Sequence, residues 1–310
     1  MENKQLVSVV MSTYNEPKEW VQLSIESILD QSYDNIEVII VCDNPNNKEI
    51  IELLKKFEED FRVRVLYNEK NIGLTNSLNK ALKFVNGEFV ARMDSDDISE
   101  KDRLLKQYNY LTENNLDLIG GGVICINENE EKISIINNLP KNSELVRKRI
   151  IKNSCVPHPT WFGKKSVFHD LNGYRAVNYA EDYDFLLRAL AKGFKLGNID
   201  EIVLKYRIRS SSISNSNGLK QFITSQMLIN LYKKDKILED INVINEFIGE
   251  ELKKIDKSEE INYYEASREF TKGCIGIKKL DFNQGLKIIK GLTKSKYYRK
   301  KIWGYIRALL

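Results

Sequence analysis

Short apolar runs alternate with segments of helical periodicity along the first hundred residues. Residues 6–11, 36–42, 63–67 and 89–93 are rich in β-branched or other apolar side chains, which predicts four buried strands. Between them, apolar residues recur at roughly helical spacing. The predicted helices lie near residues 20–29, 50–57 and 78–82. The resulting order, β-α-β-α-β-α-β, predicts an α/β fold with a mainly parallel sheet flanked by helices.

Polar residues follow three of these predicted strands. They are residues 12–16, Asp43 and the segment 94–97. Ligands of parallel sheets gather at the carboxyl ends of the strands, so we expect these side chains to lie close together.

The segment that ends the fourth strand contains Asp94, Asp96 and Asp97 within four residues. Carboxylates this close repel one another, and a hard divalent cation such as Mg²⁺ or Mn²⁺ would relieve the repulsion and bridge to phosphates. The alternative is a solvated acidic turn, with Asp97 or Ser99 as N-cap of a helix that starts near Arg103. The convergence of three polar strand ends favours the ligand site.

Composition and charge limit the class of protein. With 310 residues, 42% hydrophobic and 30% charged, the chain resembles neither a disordered nor a membrane-spanning protein. The N-terminus lacks a signal-peptide pattern, which predicts a cytoplasmic protein. Four scattered cysteines are expected to be buried free thiols rather than zinc ligands or disulfides.

A second acidic cluster, Glu181 and Asp182, opens an apolar helical segment. Helix capping explains acids there equally well. Together with a metal at Asp94 and Asp96, however, a carboxylate base would suit transfer of a group, best a sugar, from a nucleotide diphosphate to a hydroxyl. The sequence has neither a P-loop nor a Gly-x-Gly-x-x-Gly after the first strand, which argues against a P-loop kinase and a dinucleotide cofactor.

Four segments in this order resemble glycosyltransferase family 2, in particular its bacterial amylovoran and capsular-polysaccharide branch. They are residues 9–16, 71–79, 91–97 and 180–184. The resemblance implies a GT-A-type fold, an inverting mechanism and a nucleotide diphosphate sugar donor, usually a UDP-sugar. It implies a catalytic domain over residues 1–215, with a nucleotide-binding half to about residue 120 and an acceptor-binding half after it. A basic helical region follows at 216–310.

The resemblance also assigns residue roles. The nucleotide-sugar-binding positions are Ser12, Thr13, Tyr14, Glu16, Asp43, Asn71, Gly73, Arg92, Asp94 and Ser95. Asp43 is expected near the base, Asp94 beside the ribose and phosphates, and Asp96 with Asp94 on Mn²⁺ or Mg²⁺. Asp182 matches the general base, with Glu181 beside it near the acceptor.

Several residues have two interpretations. His158 contacts the diphosphate or acceptor, or is a structural loop histidine, and Trp161 stacks on a sugar or packs in the core. Arg207 and Arg209 are expected to bind diphosphate or acceptor. Arg92 is expected to pair with the acidic strand end.

Two departures from the family pattern bear on specificity. Cys42 stands where many relatives carry an acid, which leaves base contact to Asp43. The Gln-x-x-Arg-Trp signature of processive synthases is absent, which predicts addition of a single sugar.

From Gly285 to Leu310 the chain contains eight lysines and arginines and no acid. Such a segment either lies on an anionic membrane surface, at the inner face of the cell membrane, or packs on the domain with a solvated basic face. The leading function is extension of a surface glycan on a glycan or lipid-linked acceptor, with no role for nucleic acid. The alternatives are a nucleotidyltransferase and a non-catalytic sugar-nucleotide-binding subunit.

Overall fold

The computed structural model describes residues 4–209, 217–278 and 282–309, which fall into two compact units. The first unit contains residues 4–148, 154–176 and 188–209, and the second contains 149–153, 177–187 and the described residues from 217 onward. The predicted domain boundary at residues 215/216 lies outside the described residues.

The first half of the sheet is parallel, as the alternation of strands and helices predicts. Its strands, in the spatial order β3-β2-β1-β4, are β1 (Val7–Thr13), β2 (Ile36–Cys42), β3 (Val63–Tyr67) and β4 (Phe89–Asp94). The intervening helices are α1 (Lys18–Leu29), α2 (Lys48–Phe57) and α3 (Leu74–Leu82). Because β1 lies between β2 and β4, the ends of all three strands meet at one edge.

Helix α2 shows how local sequence sets an element. The Asn47 side chain caps it by accepting a hydrogen bond from the amide of Ile50 at 3.2 Å. Ile50 and Leu54 are buried, whereas Lys55 and Lys56 in the last turn are exposed and complement the helix dipole.

The second half of the sheet is mixed rather than parallel. Its strands are β5 (Ile98–Ser99), β6 (Leu118–Ile126), β7 (Lys132–Ile136), β8 (Phe162–Lys164) and β9 (Leu196–Arg207). The order continues β4-β8-β6-β9-β5, with β7 on β6. The β6/β9 pair is parallel, while β8, β7 and β5 pair antiparallel with their neighbours. The helices are α4 (Arg103–Glu113), α5 (Ser143–Ile150), α6 (Lys165–Asp170) and α7 (Glu181–Ala191), with a 3₁₀ turn at His158–Thr160.

The core of the first unit packs against the sheet. Val9, Val38 and Ile40 are inaccessible to solvent, as are Leu104 of α4 and Phe162 of β8. Burying such side chains contributes about 1.5–3 kcal/mol each, so this core fixes the strand ends that carry the polar residues. The predicted α/β class is therefore confirmed.

The second unit is helical. Its described helices are α8 (Gly218–Lys233), α9 (Ile241–Lys253), α10 (Lys257–Lys278), α11 (Phe282–Lys294) and α12 (Lys296–Leu309), together with the start of α7. Leu219, Tyr263 and Tyr298 form its core. A Cβ at Gly291 would lie 2.7 Å from the carbonyl oxygen of Ala266, so glycine there permits close packing of α11 on α10. Among the described helices, none has the length and apolar composition needed to cross a bilayer.

Candidate functional site

The polar strand ends of the first unit meet as predicted. Ser12 in β1 is in register with Asp94 in β4, and the amide of Asp43 donates to the carbonyl of Thr13 at 2.8 Å. The sheet register therefore places the carboxyl ends of β1, β2 and β4 side by side.

The centre of this edge is a cluster of three carboxylates. One oxygen each from Asp94, Asp96 and Asp97 lies within 4.8 Å of the others. Asp97 does not cap a helix, because α4 begins at Arg103 after an N-cap at Asp102. The short strand β5 includes Ser99, so the capping interpretation of both residues is wrong.

Burial makes this cluster electrostatically costly. Burial, and then the charge of Asp94, raise the pKa of Asp96 to about 6, although Arg209 partly offsets them. The pKa of Asp97 is raised well above its usual range by complete burial and by Asp94 and Asp96.

Asp97 also carries an oxygen that lacks a partner. Its Oδ1 accepts from the amide of Arg207 at 2.8 Å, whereas its buried Oδ2 has no hydrogen-bond partner among the described residues. Buried polar atoms are rarely left unpaired. A hard divalent cation takes oxygen ligands and would relieve both the repulsion and the unpaired atom, so these three residues fit Mg²⁺ or Mn²⁺.

Arg92 is paired as the sequence predicts. It is 2% exposed, and its guanidinium forms an ion pair and a hydrogen bond with the two oxygens of Asp94. Asp94 remains partly exposed, with 26% of its side chain accessible. Arg92 therefore acts on the site by orienting Asp94.

Arg209 is the partly exposed cation of the cluster. Its Nε lies 2.9 Å from Oδ2 of Asp96, and one terminal nitrogen lies 3.8 Å from Oε1 of Glu16. With 26% of the side chain accessible, Arg209 lies partly open to solvent, and its contact with a diphosphate or acceptor stays a prediction.

Arg207 is buried within the acidic turn. Its side chain is fully buried, and its Nε donates to the carbonyl of Asp96 at 2.8 Å. Its guanidinium also lies 4.6 Å from the ring centroid of Trp20. A terminal nitrogen also pairs with Oε1 of Glu130 at 3.4 Å, so Arg207 supports the acidic turn from within. Its contact with a diphosphate or acceptor stays a prediction.

Arg207→Met is expected to lower the free energy of unfolding by about 2–4 kcal/mol. The reason is that it removes charge-assisted hydrogen bonds and leaves the Asp96 carbonyl without its donor. The matched variant Arg209→Met should cost less than about 1 kcal/mol, since that ion pair is partly solvated. Urea denaturation of both variants measures the difference. Equal losses would contradict the division of roles between the two arginines.

The buried carboxylate of Asp43 holds the loop before α3 through hydrogen bonds. Its Oδ1 accepts from Asn68 at 2.7 Å and from the amide of Ile72 at 2.9 Å, and its Oδ2 accepts from the amide of Gly73 at 2.8 Å. Asn71 also accepts from the Gly73 amide at 2.8 Å. Gly73 has φ +83°, which glycine adopts without strain, and the space beside it is open. Asp43 thus fixes the loop that bears two other predicted binding positions.

The segment after β1 is organised by Glu16. Its Oε2 accepts from Thr13 Oγ1 at 3.0 Å and from the amide of Tyr14 at 2.7 Å. The Tyr14 side chain is 41% exposed, and Ser12 is half-buried. Tyr14 is therefore the member of this segment that presents a ring to solvent.

Ser95, between two cluster acids, is 3% exposed. In this conformation Ser95 therefore offers a nucleotide little accessible surface, and its predicted binding role stays a prediction.

His158 and Trp161 form an aromatic group with Tyr174. Trp161 is fully buried, and its Nε1 donates to the carbonyl of Val156 at 3.1 Å, so core packing is confirmed and sugar stacking is excluded in this conformation. His158 Nε2 lies 2.9 Å from the Tyr174 hydroxyl. Burial and the charge of Arg92 hold the pKa of His158 well below its usual range, so the imidazole is neutral at pH 7.

Glu181 and Asp182 open helix α7, in the part that belongs to the second unit. Asp182 accepts a hydrogen bond from the amide of Tyr183 at 2.7 Å, and both acids are half-buried. Tyr179, three residues before Asp182, has φ +72°, which is uncommon for a residue other than glycine. The catalytic role of Glu181 and Asp182 stays a prediction.

Sequence reasoning missed two supporting residues. Asn68, directly after β3, links Asp43 to Ser77, and its position at a fourth strand end was the available signal. Arg103 is fully buried and donates to the carbonyls of Arg92 at 2.7 Å and Pro159 at 3.2 Å, with its pKa lowered to about 9 by burial. Nothing in the sequence distinguishes it from an exposed arginine in the first turn of a helix.

An α/β sheet with an acidic cluster at its carboxyl edge agrees with the GT-A-type fold that the resemblance implies. The model of the family "Glycosyl transferase family 2" matches residues 8–171. The chain belongs to this family and is a glycosyltransferase.

Relatives with polysaccharide-related names cover most of the chain. The O-antigen biosynthesis glycosyltransferase WbnJ of Escherichia coli is 35% identical over 246 residues, which are 78% of this chain and 95% of WbnJ. The amylovoran biosynthesis glycosyltransferase AmsE of Erwinia amylovora is 27% identical over 77% of this chain and 89% of its own length. The predicted branch is confirmed by these relatives.

A solved structure extends the comparison to the fold. TarS residues 1–349 from S. aureus, in complex with UDP, superimposes with a TM-score of 0.59 at 19% identity. The match covers 97% of this chain and 91% of the TarS chain. The GT-A-type fold predicted from the sequence is thereby confirmed.

Proposed function

We propose that this protein transfers a hexose or N-acetylhexosamine from a UDP-sugar to a glycan or lipid-linked acceptor, with inversion and with a divalent metal. The observation that carries the proposal is the three-carboxylate cluster at the sheet edge, with the unpaired Oδ2 of Asp97 inside it. Such a cluster is suited to bind a divalent cation. A cation at the carboxyl edge of a helix-flanked parallel sheet is suited to bind the phosphates of a ligand.

A uridine nucleotide is supported by the solved relatives. TarS has been crystallised with UDP and with UDP-GlcNAc. In this chain the carboxylate of Asp43 and the loop it holds, including Asn71 and Gly73, supply the surface for the base. Tyr14, exposed at the end of β1, supplies a ring that can stack on it.

Asp94, Asp96 and Asp97 would hold Mn²⁺ or Mg²⁺ through carboxylate oxygens. When bound, the metal neutralises the diphosphate that leaves. The chain's own contribution is to orient Asp94 through Arg92 and to fix the turn through Arg207. Arg209, released from Asp96, supplies a further positive charge for the phosphates.

The transfer step needs a base, and Asp182 is proposed for it. The acceptor hydroxyl oxygen attacks the anomeric carbon, the bond from that carbon to the diphosphate oxygen breaks with both electrons leaving on UDP, and the hydroxyl proton passes to Asp182. Attack opposite the leaving group inverts the anomeric configuration. Glu181 would lie beside the acceptor.

The biological setting follows from the names of the relatives. We propose that residues 1–215 form the catalytic domain and that the enzyme adds one sugar to a precursor of a cell-surface polysaccharide. The reaction would take place in the cytoplasm, at the inner face of the membrane, where nucleotide sugars and lipid-linked precursors meet.

The test is release of UDP from a panel of UDP-hexoses and UDP-N-acetylhexosamines, with Mn²⁺ and a lipid-linked saccharide. We expect one donor to dominate and the proton NMR spectrum of the product to show the anomer opposite to that of the donor. Turnover only with GDP- or dTDP-sugars would overturn the donor assignment, and a retained anomer would overturn the mechanism.

A further inference from the structure

The last helix of the second unit, α12, displays one exposed face that is both basic and apolar. Its residues are Lys296, Arg299, Lys300, Trp303, Ile306 and Arg307, called here the α12 face, and each is exposed. Trp303 is 54% exposed and Ile306 is 40% exposed. Large apolar side chains concentrated in this way on a charged helix mark an interaction surface.

The α12 face is one continuous strip. A helix advances by about 100° per residue, so these six positions fall within an arc of about 120°. The opposite side of α12 carries Tyr298, which is 5% exposed and packs edge-to-face on Tyr263 of α10 at 5.4 Å between ring centroids. Packing of α12 on its own unit therefore leaves the basic and apolar strip free.

Ion pairs within the unit leave most of this charge uncompensated. Lys296 pairs with Glu259 of α10 at 2.8 Å. For Arg299, Lys300 and Arg307, the described part of the chain shows no ion pair. The stretch from Gly285 onward contains no acid to offset them.

Helix α11 adds exposed apolar residues to the same unit. Leu286 is 65% exposed and Ile289 is 61% exposed, and Lys290 beside them is also exposed. Exposed apolar residues beside an exposed lysine thus occur on the preceding helix as well.

We propose that the α12 face binds an anionic membrane surface, with Trp303 and Ile306 inserted at the headgroup boundary and the cations on the lipid phosphates. An interfacial helix combines a Lys/Arg-rich polar zone with Trp and aliphatic residues, as this face does. A purely electrostatic partner such as nucleic acid would leave Ile306 and Trp303 without a role. The proposal goes beyond the transfer reaction and stands whether or not the donor assignment is right.

The test is co-sedimentation of the full chain with phosphatidylcholine vesicles, with and without phosphatidylglycerol. We expect binding only to the anionic vesicles, and weaker binding as salt is raised. Each cation near an anionic surface contributes about fivefold in affinity, so the triple variant R299Q/K300Q/R307Q should bind at least about tenfold more weakly. Trp303→Ala should also reduce binding, because it removes the inserted ring.

A matched control distinguishes a general loss of positive charge from a loss of charge on the α12 face. The variant K55Q/K56Q/K83Q removes three exposed lysines of the first unit and should bind vesicles as the unaltered protein does. Unchanged circular dichroism of both variants shows that they are folded. The proposal is overturned if the two triple variants bind alike, or if the unaltered protein ignores anionic vesicles, which would point to an acidic protein as the partner of this face.

Discussion

Asp182→Asn is expected to lower the rate of sugar transfer by about 10²–10⁴-fold while UDP affinity changes by less than about twofold. A general base contributes this much because it removes the hydroxyl proton as the new bond forms, and an amide cannot accept that proton. The substitution preserves shape and the oxygen that accepts from the Tyr183 amide. Single-turnover assays with saturating UDP-sugar, together with UDP titrations, separate chemistry from binding.

Two further variants distinguish the proposed base from the proposed acceptor contact and from an unrelated acid. Glu181→Gln should raise the KM for the acceptor more than it lowers kcat, since the proposed contact is to the acceptor. Asp170→Asn, at the exposed end of α6, should leave both constants unchanged. Full activity in Asp182→Asn would refute the assignment of the base, and a parallel loss of UDP binding would indicate a structural defect.

Asp96→Asn is expected to remove most of the stabilisation of the protein by Mn²⁺ with UDP. A ligand present at a hundred times its Kd stabilises a folded protein by about 2.7 kcal/mol, which thermal unfolding detects. In the unaltered chain we propose that Asp96, now paired with Arg209, ligates the cation when Arg209 moves away. The variant removes one negative charge from the cluster, so metal-dependent UDP affinity should fall on the order of 100-fold, about 2.8 kcal/mol.

The same carboxylate predicts a pH dependence. Because the pKa of Asp96 in the folded, metal-free protein is raised to about 6, ionising it costs stability as pH rises from about 4 through 6. Mn²⁺ competes with the proton, so its stabilising effect should be full at pH 7.5 and should decline as pH falls through 6. A metal effect that is equal at pH 5 and pH 7.5, or that persists in Asp96→Asn, would contradict Asp96 as a ligand.

The strands in the first half of the sheet are predictable from the sequence, and those in the second half are not. The predicted bounds of β2 and β3 coincide with the observed Ile36–Cys42 and Val63–Tyr67, because both are apolar runs closed by turn residues. Strands β5 and β8 contain two and three residues. Such short strands form only because distant partners in β9, β4 and β6 pair with them, and no local pattern encodes that pairing.

The candidate site shows the same limit at the level of single residues. The carboxylates could be predicted because parallel strand ends share an edge. Arg207 and Arg209, two residues apart, could not be told apart: one is buried beneath the acidic turn and the other is partly exposed on it. Burial of a long side chain depends on tertiary packing, here on Trp20 and the turn at Asp96.

The metal-dependent donor site is tested by titrating UDP into the 310-residue chain, followed calorimetrically with Mn²⁺ and then with the metal chelated. We expect binding that is at least about tenfold tighter with Mn²⁺, because the metal would link the diphosphate to the cluster formed by Asp94, Asp96 and Asp97. Equal affinity under both conditions would contradict a metal-dependent donor site. Absence of UDP binding under either condition would contradict the uridine donor itself.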